Sequence, residues 1–173
     1  MSKTSLVLTI LGEDRPGLVG SLSQLVAEHG GNWVESRMAH LAGQFAGILR
    51  VEIEASKAEA LSAAIKGLTT TSGLESVVLP DRSPPVEDQS PLAKLSLVGQ
   101  DRAGIVREIS QVLATHGVNV EELNTECSNA PNSGQALFRA DALLRLPTGV
   151  SAESLRSALE QVANDLMVDV TLD

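Results

Sequence analysis

The phrase GEDRPGLVGSLSQLVAEHGGNW near the start of the chain returns later as GQDRAGIVREISQVLATHGVNV, at an offset of 87 residues. At that offset Gly12, Asp14, Arg15, Gly17, Val19, Ser23, Gln24, Ala27, His29, Gly30, Asn32 and Glu35 meet identical residues. A period this long marks a duplicated domain, because solenoid repeats run to only about 20–50 residues. Between the copies lies PDRSPPVEDQSP, whose four prolines and charges stiffen the chain and supply nothing to a core. The expected organisation is therefore a first domain over 1–80, a linker over 81–91 and a second domain over 92–173.

Hydrophobic period assigns the elements inside each copy. SLVLTIL alternates as a half-buried strand does. Leu18, Val19, Leu22, Leu25 and Val26 then recur at helical spacing, as do Ile105, Val106, Ile109, Val112 and Leu113. Gly30 and Gly117 suit the left-handed position just past a helix end. WVESRMAHL and FAGILRVEIEA read as strands, and Ser56 with Glu59 as a capping box. A second helix with Leu61, Ala64, Ile65 and Leu68 on one face follows, and LESVVLP closes the copy. The second copy reads likewise through VEELNTECS, ALFRADALLRLP, a helix from about Ser151 to Asp165, and MVDVTL. APNSG, Ala130–Gly134, lengthens its β–β turn. The order β-α-β-β-α-β, twice, predicts an α+β chain of two ferredoxin-like domains. Each has an antiparallel sheet with both helices on one face.

Totals exclude several classes of function. Aromatic residues make up 2% of the chain, so the cores must be aliphatic. A formal net charge of −9 repels a phosphate backbone, which argues against direct nucleic-acid binding. The N-terminal apolar run is short and alternating, unlike a signal peptide, and no run reaches the roughly 18 residues of a membrane span. A soluble cytoplasmic protein is expected. The single cysteine, Cys127, cannot close an internal disulfide and is expected half-buried in a strand; the first copy has His40 at that position. No cluster with metal-ligand spacing, no P-loop, no G-x-G-x-x-G and no G-x-S-x-G occurs. No catalytic residue, metal or cofactor is therefore expected. Nor is a catalytic domain expected beyond the last strand.

The duplicated corner can hold a ligand. Free N–H groups point out of a helix start, where the dipole favours an anion. Gly17 and Gly104 let a carboxylate approach that backbone, and Pro16 fits an early helical position, where its missing N–H costs nothing. Asp14 and Asp101 can accept from an ammonium group, so a zwitterion suits the corner. The same residues also suit plain structure: Asp14 as a cap, Gly17 as a turn, Arg15 as a solvated charge. Asn32 and Asn119 can merely tolerate a turn. His29 and His116 suit the negative ends of their helices.

ILGEDRPGLVGSLSQLVAEHGGNWVES and LVGQDRAGIVREISQVLATHGVNVEEL resemble ACT domains, a family of amino-acid-sensing regulatory modules. The D-R-P-G-L-V and H-G-x-N segments carry the resemblance, which covers both halves. Tandem ACT domains without an attached catalytic or DNA-binding domain resemble the repressor branch of that family acting on the glycine cleavage operon. The resemblance implies ligand contacts from Leu11, Gly12, Asp14, Arg15, Gly17 and Asn32, and from Val98, Gly99, Asp101, Arg102, Gly104 and Asn119. It also implies domains that pair side by side, often with the ligand at a domain interface. A small amino acid, glycine first, would relieve repression exerted through a DNA-binding transcriptional activator protein. A homodimer fits as well. Ala103 replaces Pro16 in the second copy, so the two sites need not be equivalent. The alternatives are a dimerisation or scaffold module without ligand, and a sensor of another amino acid that controls an enzyme.

Overall fold

The computed structural model describes residues 2–82, 89–129 and 136–173. The chain divides into two compact units, Met1–Pro85 and Val86–Asp173. Residues 83–88 of the expected linker, and the expected Ala130–Gly134 turn, lie outside the described residues.

The first unit runs β1 (Lys3–Glu13), α1 (Leu18–Glu28), β2 (Asn32–Leu41), β3 (Gln44–Glu54), α2 (Ala58–Ser72) and β4 (Glu75–Pro80). The second repeats it as β5 (Leu92–Gln100), α3 (Ile105–Thr115), β6 (Asn119–Asn129), β7 (Ala136–Arg145), α4 (Ala152–Leu166) and β8 (Val168–Leu172). The sheets have the orders β2-β3-β1-β4 and β6-β7-β5-β8, with every neighbour antiparallel. These are two ferredoxin-like βαββαβ domains, as the periodicity predicted.

Alternation in the strands sets the cores. Leu6, Leu8 and Ile10 of β1 turn inward with Phe45, Leu49, Val51 and Ile53 of β3, against Leu18, Leu22, Val26, Leu61 and Ile65 of the helices. The second core repeats this with Leu95, Leu97, Phe138 and Leu144 against Ile105, Ile109, Leu113, Leu155 and Leu159. The outer faces differ. In the first sheet Val77, Thr9 and Ile48 align across three strands, and Val7 is opposite Leu79. In the second, Ser96 is opposite Asp141 and donates to its Oδ1 at 2.7 Å, and Val98 is opposite Arg139. The middle of one outer face is thus largely apolar where that of the other is polar.

The helix ends explain the duplicated H-G. Gly30 and Gly117 lie at φ 71° and 65°. Around them N–H groups return to carbonyls inside the helix: Gly30 to Ala27 and Gly31 to Val26, Gly117 to Ala114 and Val118 to Leu113. This double turn satisfies carbonyls that a helix end otherwise leaves unpaired. His29 and His116 place Nδ1 2.9 Å from the Leu25 and Val112 carbonyls.

Two local expectations are corrected. Ser56 does not cap α2. It sits in a short 3-10 turn, Ala55–Lys57, and its hydroxyl donates to Glu54 Oε1 at 2.7 Å. The turn takes up the chain before α2 begins, so no reciprocal pair forms with Glu59. Val19 and Val106 have helical spacing but face outward, 46% and 44% exposed. The buried stripe is narrower: Leu18, Leu22 and Val26, and Ile105, Ile109 and Leu113.

Candidate functional site

The corner between β1 and α1 is built by four elements. The Asp14 N–H donates to Gly43 O in the β2–β3 hairpin at 2.9 Å, and the Asp101 N–H donates to Ala136 O at 2.9 Å. The Arg15 guanidinium donates to the Ser72 carbonyl, at the last residue of α2, and Arg102 donates to Asp165 O of α4 at 3.2 Å. A cation at a helix C-terminus satisfies an orphan carbonyl and meets the negative end of the dipole. The duplicated Asp-Arg thus ties the corner to the hairpin on one side and to the second helix on the other.

Gly12 and Gly99 are required by a close approach. A Cβ on Gly12 would stand 2.7 Å from Leu74 Cδ2, and one on Gly99 would stand 2.5 Å from Val168 Cγ1. Gly17 and Gly104 are required by torsion. They are the N-caps of α1 and α3 at φ 91° and 100°, in the left-handed region, and a Cβ there would meet nothing within 4 Å. No side chain caps either helix, whereas α4 is capped by Ser151, which accepts from the Ser154 N–H at 3.1 Å. The first turns of α1 and α3 therefore have no side-chain acceptor at the cap position. Asp14 does not cap. Pro16 stands one residue before the cap, outside the helix, because Gly17 takes the cap and Leu18 is the first helical residue.

The carboxylates at each corner have partners that the sequence did not single out. His40 Nε2 lies 3.7 Å from Asp14 Oδ2. The equivalent strand position in the second domain holds Cys127, whose thiol donates to Asp101. Cys127 is exposed in β6, not half-buried, because an edge strand leaves its residues open on one side. Partial desolvation, then the charge and hydrogen bond of Asp101, push the thiol above its ordinary value. This keeps it protonated and weakly nucleophilic. A second carboxylate is positioned alike in both domains: Glu75 opposite Leu11, and Asp169 opposite Val98. Its signal lay in the pairing register of β4 and β8.

A broad, open hollow of about 460 Å³ lies at this end of the first sheet. Leu11, Gly12, Glu13, Gly43, Gln44 and Glu75 are among its lining residues. It gathers Leu11 and Gly12 beside the loop that carries Asp14, Arg15 and Gly17. Asn32 is not brought there. It is opposite Glu52 on β3 while Gly12 is opposite Phe45, seven positions or about 24 Å along the strand. Asn119, opposite Arg145, is equally remote from Gly99, opposite Phe138. Its side chain donates to Glu121 Oε1 at 2.8 Å, which also accepts from Arg145 Nε at 3.0 Å. Among the described residues no group of three His, Cys, Asp or Glu could hold a metal ion, and no helix is long and apolar enough to cross a membrane.

Residues 4–78 match the family model of the ACT domain. A UPF0237 protein from Methanopyrus kandleri is 36% identical over 79 residues, covering 45% of this chain and 81% of that protein. A solved structure of an unknown protein from Galdieria sulphuraria is 30% identical with a TM-score of 0.88, over 99% of this chain and 98% of that one. Another solved structure, provisionally described as a glycine cleavage system transcriptional repressor, has a TM-score of 0.72 at 18% identity, over 100% of this chain and 98% of that one. At that identity the likeness is one of fold.

Proposed function

The chain belongs to the ACT-domain family, and on that premise we propose that it is a non-enzymatic, amino-acid-responsive regulator. The observation that carries this reading is the pair of uncapped helix starts at Gly17 and Gly104. Each stands in the left-handed region, with nothing within 4 Å of where its Cβ would be. A ligand carboxylate would accept from the free N–H groups and gain from the helix dipole. Its ammonium group would be taken by the carboxylates around it, Asp14 and Glu75 at one corner and Asp101 and Asp169 at the other. Leu11, Gly12, Val98 and Gly99 would shape the floor. Arg15 and Arg102 would hold the corner in place through α2 and α4. Residues 81–91 would serve as the linker between the domains.

At the finer level, the whole-length likeness to the provisionally described repressor supports a role in transcription of the glycine cleavage operon. In this reading the chain acts in the cytoplasm through a DNA-binding activator protein, consistent with its charge of −9. Glycine would shift its affinity for that partner, which requires a preference for one state typically worth about 1–3 kcal/mol. The test is calorimetric melting of the full chain against the twenty amino acids. A ligand at about 100 times its dissociation constant adds about 2.7 kcal/mol, seen as a clear rise in melting temperature. The absence of any rise at millimolar concentrations would refute direct sensing.

A further inference from the structure

The outer face of the first sheet departs from that of its duplicate. Cross-strand pairing lays it out in rows. Arg37, Ile48, Thr9 and Val77 form one row across β2, β3, β1 and β4. The row on one side is Ala39, Ala46, Leu11 and Glu75, and on the other Glu35, Arg50, Val7 and Leu79. Ile48, Val77 and Leu79 are 47%, 54% and 57% exposed. The second sheet has the same strand order, and polar residues take the equivalent places. Asp141 stands for Ile48, Arg139 for Ala46, Thr171 for Val77 and Lys94 for Val7. The fold itself therefore does not need apolar side chains on this side.

An antiparallel sheet that shows one face to water carries polar residues there. The second domain follows that rule and the first breaks it at the centre of the face. Contiguous exposed apolar surface of this kind marks an interaction site. The strands β1 to β4 run 11, 10, 11 and 6 residues. At about 3.4 Å per residue and about 4.8 Å between strands, they present a face of about 600 Å². Two such faces laid together reach the lower end of a stable interface, about 600 Å² from each partner.

We propose that this face docks the same face of a second copy of the chain, so that two chains join through their first sheets. Sheets packed face to face in the aligned manner keep their strands within about 30° of each other. A two-fold axis along the strands lays β2 over the other copy's β4, and β3 over its β1. Ile48 then covers Thr9 of the other copy, and the small Ala46 meets the large Leu11. Arg37, on the β2 rim, comes beside Glu75 on the opposite rim, and symmetry makes this pairing twice. An axis across the strands instead brings Arg37 near Arg37 and Glu75 near Glu75. The rim charges therefore select the first arrangement, and they select a copy of this face as its occupant. Arg50 has Glu35 and Asp81 carboxylate oxygens at 3.7 Å each, so its charge enters the interface accompanied. Pairing of domains side by side through strand edges leaves this face in water.

The test is sedimentation velocity of the full chain. An interface of this size gives affinities down to the micromolar range, so the runs span about 1 to 100 μM. A dimer is expected within that span. Ile48→Asp installs the residue that the second sheet carries at the equivalent place, and circular dichroism should show the fold unchanged. It should raise the dissociation constant at least about 100-fold, because the unpaired charge is buried twice in a symmetric interface. Arg37→Glu, at an exposed rim position, keeps the test open should Ile48→Asp misfold. It should weaken the dimer, and Glu75→Arg added to it should restore the association. Sedimentation as a monomer throughout would overturn the proposal. So would a dimer that neither Ile48→Asp nor Arg37→Glu weakens, because the chains would then meet by another surface. Failure of Glu75→Arg to restore the Arg37→Glu dimer would overturn the pairing of rims on which the arrangement rests.

Discussion

Gly12 and Gly99 are equivalent by sequence, yet alanine at the two positions should have unequal costs. The Cβ of Gly12→Ala would first meet Leu74 Cδ2 at 2.7 Å, the movable end of a side chain, with Gly73 O at 3.2 Å and Leu74 Cα at 3.4 Å. The Cβ of Gly99→Ala would meet Val168 Cγ1 at 2.5 Å and both Cα and Cβ of Val168 at 2.9 Å. Val168 is β-branched and is the residue opposite Gly99 in the β5–β8 ladder, so neither rotation nor backbone shift relieves the overlap. Overpacking typically costs about 1–3 kcal/mol, and sometimes more. Gly12→Ala falls at the lower end, about 1 kcal/mol, and Gly99→Ala at about 3 kcal/mol. For a domain of this size the urea slope is about 1 kcal/mol per molar. The unfolding midpoint should drop by about 1 M for Gly12→Ala and about 3 M for Gly99→Ala. The one tryptophan, Trp33, lies in the first domain, so its fluorescence follows that domain alone while circular dichroism follows both. Equal losses at the two sites, or a larger loss for Gly12→Ala, would refute the argument that the identity of the contacted atom decides the cost.

Ser151→Ala should destabilise the second domain by about 1 kcal/mol through loss of the α4 cap. Ser56→Ala should stay within about 0.5 kcal/mol, because Ser56 caps nothing; urea midpoints for both variants decide the pair. The alkylation rate of Cys127 should reach half its maximum at a pH above that of a free cysteine, since the thiolate forms only as pH rises past the raised value. Asp101→Asn removes the carboxylate's charge, so this midpoint should move partway down. An unchanged profile in stopped alkylation assays would show that Asp101 does not reach the thiol.

The fold was legible because duplication and hydrophobic period point the same way at every element. Strand alternation placed Leu6, Leu8 and Ile10 inward, and the left-handed positions of Gly30 and Gly117 follow from helix-ending chemistry visible in H-G. What stayed hidden depended on pairing register or distant partners. The bonds of Arg15 to Ser72 and Arg102 to Asp165 span most of a domain, so the arginines read as solvated charges. Asn32 is close to Gly17 in sequence, but α1 carries the chain to the other end of the sheet before β2 begins. The pairing of His40 with Asp14 and of Cys127 with Asp101 emerges only once the edge strands are laid in register. Val19 and Val106 fit the helical period, yet the sheet covers a narrower stripe than five apolar positions suggest.

The unlike outer faces of the two sheets bear on how a duplicated chain reaches its native state. Two halves with the same strand order and the same inward pattern are tempted to exchange strands while folding, a failure common in tandem repeats. The inward faces offer little protection, since Leu6, Leu8 and Ile10 would fit beside Phe138 and Leu144 nearly as well as Leu95 and Leu97 do. The outer faces do discriminate. A β1 strand lodged in the second sheet would set Leu11 against Arg139 and place the bulkier Thr9 where Ser96 donates to Asp141. A β5 strand lodged in the first would set Lys94, in the place of Val7, against the like charge of Arg50 and the side chain of Leu79. Each strand thus carries on its solvent side a mark of the half to which it belongs.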